Sequence, residues 1–445
     1  MGKEIISIGI FFDGTGNNGI NATSSRMPEK NNQSYQSDIT NIYKLFRLFN
    51  GSGKIYIEGI GTVSGQEDSD FAMVTCKNPY GYTGYSSDDK LTETLRFINE
   101  KTCDQTKEYH FYIYGFSRGS MLARNLCNEL NLTENIKIKF LGIFDTVESD
   151  PFNEYNVSVL PDIEHVFHIC ATNECRYFFP LTGIFDESKQ REDTILKTGA
   201  SVWKEIFVPG AHADIGGGYL ESSQSVYISA NYTNNKELVD YVETIRTSDE
   251  DSEGNRIWEF LLEGYSIDEG TFFSQAYIKR DKVYNDLARV YGKLMLTETN
   301  AVQTVFSTEF DESNFEINGS RHAFLLDFSN KLERYIKDLS PDLKPVYNYR
   351  NFAEYTHISA NFGLYPHVLY KQAEVHLHTE AINNGLNVPG NANLDRTGAP
   401  YSELQEDTQQ LEDGTIVDYA YGSNIPNNDT WSRSILIKEN VYNKY

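Results

Sequence analysis

A serine lies between two glycines in residues 115–119, which read Gly-Phe-Ser-Arg-Gly. The segment follows a β-rich run over residues 109–114 and precedes a helical pattern that starts at Arg118. This is the context of a nucleophile elbow, a sharp strand-to-helix turn from which a serine attacks an acyl carbonyl. Such a turn is strained and crowded, so the residues two before and two after the serine must be small. Gly115 and Gly119 meet that requirement, and Ser117 is the predicted nucleophile.

A serine nucleophile needs a general base, and nine histidines are available. In this class of site the acid and then the histidine follow the serine along the chain. His212 comes directly after the apolar run 203–208, in a glycine-rich loop where a catalytic base belongs. His357 is the main alternative base. Three other histidines lie within strand patterns and are interpreted as structural: His110, His165 and His168.

An acidic residue must orient the histidine, and Asp145 is the predicted one. It follows the apolar run 137–144, one β-α unit after Ser117, so it emerges at the same carboxyl edge of a parallel sheet. The other interpretation of Asp145 is a local cap of the following turn. Asp214 and Asp186 are the alternative acids. Because Asp214 is two residues from His212, it is also suited to holding the loop.

A glycine-rich loop follows the first predicted strand and contains Asp13, Gly14 and Thr15. Its glycines have the GxGxxG spacing of a dinucleotide-binding loop. However, no helix is predicted there and a long polar stretch follows, so the pattern is only a weak indication of a dinucleotide site. A phosphatase interpretation lacks its nucleophilic aspartate, because that position is Phe11. We expect the loop to supply a second oxyanion-hole amide beside the amide of Arg118, with Asp13 holding the loop. A simple Asx turn is an equally good interpretation.

The elements that position these residues alternate in the way that is typical of a parallel sheet covered by helices. The predicted strands cover residues 4–12, 54–58, 109–114, 137–144, 165–171 and 203–208. The predicted helices cover residues 38–49, 90–102, 118–130, 236–245, 257–262, 283–295 and 323–339. We expect an α/β-hydrolase-like core in residues 1–220. We expect residues 221–445 to form a C-terminal accessory, lid or membrane-contact region.

Charge and hydropathy exclude several classes of function. Lys and Arg number 39 against 64 Asp and Glu, and the net charge of −25 repels nucleic acid. The longest apolar run, residues 5–12, is far shorter than the roughly 20 residues that span a bilayer. It also lacks a basic flank and a cleavage site, so we expect synthesis in the cytoplasm without a signal peptide. Five cysteines with no CxxC pair indicate reduced thiols.

Five segments together resemble the α/β-hydrolase lipase effectors of bacterial type VI secretion systems. They are residues 12–18 (FDGTGNN), 59–62 (GIGT), 115–119 (GFSRG), 144–147 (FDTV) and 210–219 (GAHADIGGGY). The resemblance covers the first 220 residues, and residues 221–445 match only loosely. It implies a triad of Ser117, Asp145 and His212, the same three residues that their positions favour.

The resemblance also implies a phospholipase A that is secreted into rival bacteria and hydrolyses membrane glycerophospholipids in the periplasm. Its implied partners are spike components of the secretion system and a cognate immunity protein. The chemistry needs no metal or cofactor. Because the net charge opposes anionic headgroups, we expect membrane contact through aromatic residues near Tyr265 or Phe272 and Phe273. The alternatives are an intracellular esterase or thioesterase on a small acyl substrate, and a non-catalytic binding protein.

Overall fold

The structure is a computed structural model. It describes residues 3–130, 135–149, 155–185, 192–199, 201–248, 256–270, 272–362, 424–427 and 429–436, and the backbone of residues 406–410 and 416–420. The predicted acid Asp186 lies outside these residues, as does most of residues 363–423.

The strands lie mainly where apolar runs predict them. In chain order they are β1 (Ile5–Phe12), β2 (Gly53–Ile57), β3 (Glu108–Phe116), β4 (Ile136–Phe144), β5 (His165–Ala171), β6 (Leu181–Thr182), β7 (Thr194–Thr198), β8 (Ser201–Val208), β9 (Ser222–Tyr227), β10 (Ser266–Glu269), β11 (Ser274–Val283), β12 (Glu406–Gln410), β13 (Ile416–Ala420) and β14 (Ile435–Leu436). All six strands predicted in the first half are confirmed.

Seven strands form the main sheet, in the order β2-β1-β3-β4-β5-β8-β7. Every neighbouring pair is parallel except β7 with β8. The carboxyl ends of β1, β3, β4, β5 and β8 therefore meet at one edge, where an open α/β sheet places its site. A second sheet has the order β10-β11-β9-β13-β12, and β14 pairs with β6.

The helices are α1 (Gly19–Ala22), α2 (Asn41–Leu48), α3 (Asp70–Thr75), α4 (Ser87–Lys101), α5 (Arg118–Glu129), α6 (His212–Gly216), α7 (Asn235–Arg246), α8 (Ile257–Leu261), α9 (Leu287–Val302), α10 (Ala323–Tyr335) and α11 (Tyr349–Phe352), with 3-10 turns at Gln33–Tyr35 and Pro341–Leu343. Side-chain caps fix the starts of α2 and α4. The hydroxyl of Thr40 accepts from the amide of Tyr43 at the start of α2, and Ser86 accepts from Asp89 at the start of α4.

Helices cover both faces of the main sheet. Because side chains alternate along a strand, Ile8 and Ile10 of β1 point into one apolar layer and Phe11 points into the other. The first layer contacts α4 and α5, and the second contacts α2 and α9. The prediction of a mostly parallel sheet flanked by helices is confirmed.

The second half of the chain packs against the first. Helix α9 contacts β4, β5, α2 and α6. The hydroxyl of Tyr291 in α9 donates to the carbonyl of Pro209 at 2.6 Å, just before α6. The second layer includes buried residues from both halves, from Phe11 to Trp431. A division of the chain near residue 220 stays a prediction.

Among the described helices, none combines the length and the hydropathy that crossing a membrane requires.

Candidate active site

Ser117 occupies a tight turn between β3 and α5. Its backbone angles are φ 58° and ψ −129°, a left-handed conformation that is strained for a serine. The flanking glycines allow the turn to form. A Cβ on Gly119 would lie 2.4 Å from the carbonyl oxygen of Asp13, and one on Gly115 would lie 2.5 Å from the Cα of Ser120. The local geometry is that of a nucleophile elbow.

Asp145 directly follows β4 and lies next to the elbow. The amide of Ser117 donates to the carbonyl of Phe144 at 3.1 Å, which joins the two strand ends. Asp145 is fully buried and its φ is 42°. Its Oδ1 accepts from the amide of Ala171 at 2.8 Å, at the end of the neighbouring strand β5. The carboxylate therefore spans two strand ends instead of capping its own turn.

His212 is directly bonded to Asp145. Its Nδ1 lies 2.6 Å from Asp145 Oδ2, and both side chains are buried. The residue begins the short helix α6, where the sequence predicts a loop. The imidazole lies against the ring of Phe116, the neighbour of Ser117, with 4.6 Å between centroids. Because an ionised carboxylate can only accept, Nδ1 carries a proton and Nε2 is left as the basic nitrogen.

Burial lowers the pKa of His212 below its ordinary value, and the bond to Asp145 only partly opposes this. Burial alone would raise the pKa of Asp145. The nearby guanidinium of Arg433 and the bond from His212 outweigh burial, so the pKa of Asp145 lies below its ordinary value. The pair at neutral pH is thus a carboxylate and a neutral imidazole.

Arg433 is a member of the site that sequence reasoning missed. Its Nη1 lies 3.0 Å from Asp145 Oδ2, and both side chains are fully buried. The two residues are 288 positions apart in the chain. Arg433 also lies in a polar, irregular stretch with no motif around it, so no signal in a single sequence could have found it.

A second ion pair, between Arg176 and the buried Glu174, supports His212 through its backbone amide. Glu174 accepts from the amide of His212 at 3.2 Å and from two guanidinium nitrogens of Arg176 at 3.0 Å each. Burial would raise the pKa of Glu174, but the charge and hydrogen bonds of Arg176 bring it down to about 2. The guanidinium of Arg176 lies 3.4 Å above the ring of Phe179, which contacts the imidazole of His212 edge-on at 5.1 Å.

The alternative acid and the alternative base bind each other. Nδ1 of His357 lies 2.7 Å from Asp214 Oδ1, and Asp214 Oδ2 accepts from the amides of Ala211 and His357 at 2.9 Å each. The ring of His357 stacks on Tyr219 at 4.1 Å between centroids. Asp214 thus anchors the turn that precedes His212 and does not contact the imidazole of His212.

The loop after β1 packs directly on the elbow. Asp13 Oδ2 accepts from the hydroxyls of Thr40 and Tyr56 at 2.9 and 2.6 Å, and burial raises the pKa of Asp13 to about 6. Its Oδ1 accepts from the amide of Gly14 at 2.8 Å, so this amide is already engaged. The hydroxyl of Thr15 accepts from Arg118 Nε at 2.9 Å, which ties the loop to α5.

Two amides at this junction are left for a ligand. Among the described residues, the amides of Thr15 and Arg118 donate to no acceptor.

After this loop the chain enters the four-residue helix α1, capped by Asn18, where the sequence predicts no helix. A helix this short does not make the βαβ unit of a dinucleotide site.

One cluster of metal-ligand types lies near the site. Ligand atoms of His168, Cys170 and Glu205 lie within 4.8 Å of one another. However, Nε2 of His168 accepts from the amide of Thr146 at 3.1 Å, and its Nδ1 bonds Glu205 at 2.8 Å. Both ring nitrogens are occupied, so the cluster fits a structural role. It holds the backbone of Thr146 beside Asp145.

The chain is similar in fold to a Tle1 effector whose structure was solved bound to the VgrG spike from the type 6 secretion system. The TM-score is 0.59 at 19% identity, over 98% of this chain and 94% of that one. A crystal structure of an uncharacterized protein from Pseudomonas aeruginosa matches with a TM-score of 0.38 at 18% identity, over 96% of this chain and 65% of that one. No curated protein matches the chain.

The fold likeness supports the α/β-hydrolase-like class. A family model described as a type VI secretion Tle1-like phospholipase effector, catalytic domain, matches residues 6–133 and 125–238. The matched residues make up more than half of the chain and include Ser117, Asp145 and His212. The chain therefore belongs to the Tle1-like family of type VI secretion phospholipase effectors.

Proposed function

We propose that the chain is an antibacterial phospholipase A that hydrolyses glycerophospholipid acyl esters with Ser117, His212 and Asp145 as its triad. One observation carries the proposal. The buried bond of 2.6 Å between His212 and Asp145 lies at the same sheet edge as the strained elbow of Ser117. This is the arrangement that activates a serine for acyl transfer.

In the first half of the reaction, Ser117 Oγ attacks the ester carbonyl and gives its proton to His212 Nε2. Asp145 stabilises the imidazolium that forms. The tetrahedral intermediate then collapses, and His212 returns the proton to the glycerol oxygen, which leaves as lysophospholipid. In the second half, water attacks the acyl-serine with His212 again as the base, and a fatty acid is released.

The negative charge that develops on the carbonyl oxygen needs donors already in place. We assign this role to the amides of Arg118 and Thr15, two residues whose side chains bond each other where the loop after β1 packs on the elbow. One such donor contributes about 3 kcal/mol to the transition state. The amide of Gly14 is excluded because it donates to Asp13.

We extend the partners and the place of action from the family. The similar Tle1 protein is bound to the VgrG spike, and we propose that this chain is likewise carried by a spike component. After delivery into target cells it acts on the membrane from the periplasm, and a cognate immunity protein protects the producer.

The test is fatty-acid release from phosphatidylethanolamine and phosphatidylglycerol vesicles with different acyl chains at the two positions. We compare wild type with Ser117→Ala and with the control Ser120→Ala. The Ser120 hydroxyl donates to the carbonyl of Phe144 at 3.1 Å and has no proposed part in the reaction. Release that is lost only in Ser117→Ala supports the proposal, and the released chain shows which ester is cut.

Three results would overturn it. Equal release from Ser117→Ala would contradict the triad. No release by wild type, together with turnover of short-chain esters or thioesters, would replace the lipid by a small acyl substrate. If no substrate is turned over at all, the binding-protein alternative applies.

A further inference from the structure

A segment near the end of the described chain lies over the site. We call residues 424–427 and 429–436 the closing segment. Its backbone follows the chain between β5 and β6: the amide of Tyr177 donates to the carbonyl of Ile425 at 2.9 Å, and the amide of Asn427 donates to the carbonyl of Cys175 at 2.8 Å. Further on, β14 pairs with β6 in parallel. The closing segment thus runs along the loop that carries Glu174 and Arg176.

Trp431 anchors the closing segment in the core. It is almost fully buried, and its Nε1 donates to the hydroxyl of Tyr241 at 2.9 Å. Its ring meets Trp258 edge-on at 5.3 Å. Within the segment, the side-chain amide of Asn427 donates to the carbonyl of Ser432 at 2.6 Å. These contacts fix the backbone on the N-terminal side of Arg433.

From this position Arg433 reaches the carboxylate that binds His212. Its Nη1 lies 3.0 Å from Asp145 Oδ2 and 3.4 Å from the carbonyl oxygen of Ala171. Asp145 Oδ2 therefore receives donors from both His212 and Arg433, while Oδ1 receives the amide of Ala171. A carboxylate held by three donors has one orientation available to it.

We propose that Arg433 is a positioning residue of the active site, which holds Asp145 ionised and oriented toward His212, so that catalysis requires the docked closing segment. The inference rests on the proposed roles of Ser117, His212 and Asp145, and adds a second-half residue to them. Arg433 acts through Asp145 and is not itself a catalytic residue.

The charges around the pair explain why a cation is needed there. Asp145 faces Arg433 and His212, and His212 also faces Arg176 and Glu174. Two cations and two carboxylates thus surround a neutral imidazole. Without Arg433, Asp145 would be a buried carboxylate with no fixed counter-charge, and its pKa would rise. The Asp145–His212 pair as a whole would therefore take up its first proton at a higher pH, because a positive charge beside the pair is lost.

The test compares Arg433→Gln, which keeps a donor but loses the charge, with Arg433→Lys, which keeps the charge. Tyr241→Phe is the control, because it removes the bond from Trp431 and keeps the Trp431 ring that anchors the closing segment. For each variant we measure kcat/KM against pH on a soluble ester and the unfolding temperature. We expect Arg433→Gln to lower kcat about 10- to 100-fold, by analogy with the loss of supporting partners at other sites. In the same variant, the acidic limb of the kcat/KM profile should move to higher pH by about one unit.

Arg433→Lys should keep the acidic limb of the wild-type profile. Tyr241→Phe should lower the unfolding temperature without moving that limb. Wild-type activity and pH profile in Arg433→Gln would overturn the proposal. A loss of activity in proportion to stability in all three variants, with no shift of the limb, would overturn it as well. If Arg433→Gln does not fold, Arg433→Lys alone still tests the role of the charge. A shift of the acidic limb of its kcat/KM profile would contradict that role.

A second readout does not depend on the substrate. In Ser117→Ala protein, with and without Arg433→Gln, the His212 imidazole is titrated by NMR. We expect its pKa to rise when Arg433 is replaced. An absence of lipid hydrolysis by wild type would defeat the proposed function but not this measurement, whereas an unchanged His212 titration would defeat the positioning role alone.

Discussion

Nδ1 of His357 lies 2.7 Å from Oδ1 of Asp214. Together with His212 and Asp145, these residues form two separate buried His–Asp pairs at the carboxyl edge of the main sheet. Asp214 is two residues from His212 in sequence, yet its carboxylate serves the other histidine. The second pair holds the turn at Ala211, and the first pair lies beside Ser117. The two candidate acids can therefore be told apart by experiment.

The first prediction compares Asp145→Asn with Asp214→Asn. Asp145→Asn should lower kcat about 10⁴-fold, because an asparagine at this position favours the wrong tautomer of His212. Asp214→Asn should lower kcat less than about 10-fold and cost roughly 2 kcal/mol of stability, because a buried acceptor is replaced by a donor. The measurements are ester turnover and urea unfolding. A larger loss of kcat in Asp214→Asn would reverse the assignment of the acid.

The second prediction concerns the glycines of the elbow. Gly119→Ala would place a Cβ 2.4 Å from the carbonyl oxygen of Asp13, which is backbone and cannot move aside. We expect a loss of about 3 kcal/mol in the free energy of unfolding and no measurable turnover. Gly53→Ala is the matched control, because its Cβ would meet only atoms at 3.9 Å or more. Wild-type stability and turnover in both variants would contradict the close packing of Gly119 against the backbone of Asp13.

The third prediction follows from the pKa of Asp13, which burial raises from 3.8 to about 6. A raised pKa means that the folded state binds the proton more tightly, so this stability is complete below pH 3.8 and is lost as pH rises through 6. The unfolding free energy of wild type minus that of Asp13→Asn should thus fall by about 3 kcal/mol across this window. If this difference in unfolding free energy is constant or rises with pH, the result would contradict an Asp13 carboxyl whose pKa is raised by burial.

The fourth prediction concerns membrane contact. Phe272 and Phe273 are 79% and 52% exposed, whereas Tyr265 is half-buried. Replacing both phenylalanines by serine should weaken binding to vesicles and leave turnover of a soluble ester unchanged. Tyr80→Ser is the control, because Tyr80 is fully exposed elsewhere on the surface. Unchanged vesicle binding in the double variant, or an equal loss in the control, would reject this surface.

Local patterns were enough to predict the fold of the first half. Buried parallel strands are short apolar runs, and His165–Ala171 matches its predicted bounds. The places of Ser117 and Asp145 followed because both come directly after strands whose ends share one edge. His212 was placed correctly after β8, but the short helix that it begins was not predicted, since its five residues are too few for a periodic pattern.

Long-range contacts could not be predicted from local patterns. Arg433 reaches Asp145 across 288 residues, and Ser359 reaches Glu174 across 185. Neither Arg433 nor Ser359 lies in a motif, and these contacts depend on how the second half of the chain packs on the first. The pairing of Asp214 with His357 is of the same kind. Its closeness to His212 suited Asp214 to holding the loop, as it does, but no local pattern indicated His357 as its partner.

The most direct test of the proposed mechanism is to trap the nucleophile. The protein is treated with a fluorophosphonate ester, and the modified residue is identified by mass spectrometry in wild type, Ser117→Ala and Ser120→Ala. We predict one adduct, on Ser117, in wild type and Ser120→Ala, formed in step with the loss of lipid hydrolysis. An adduct on another residue, or lipid hydrolysis that survives full labelling of Ser117, would contradict the mechanism.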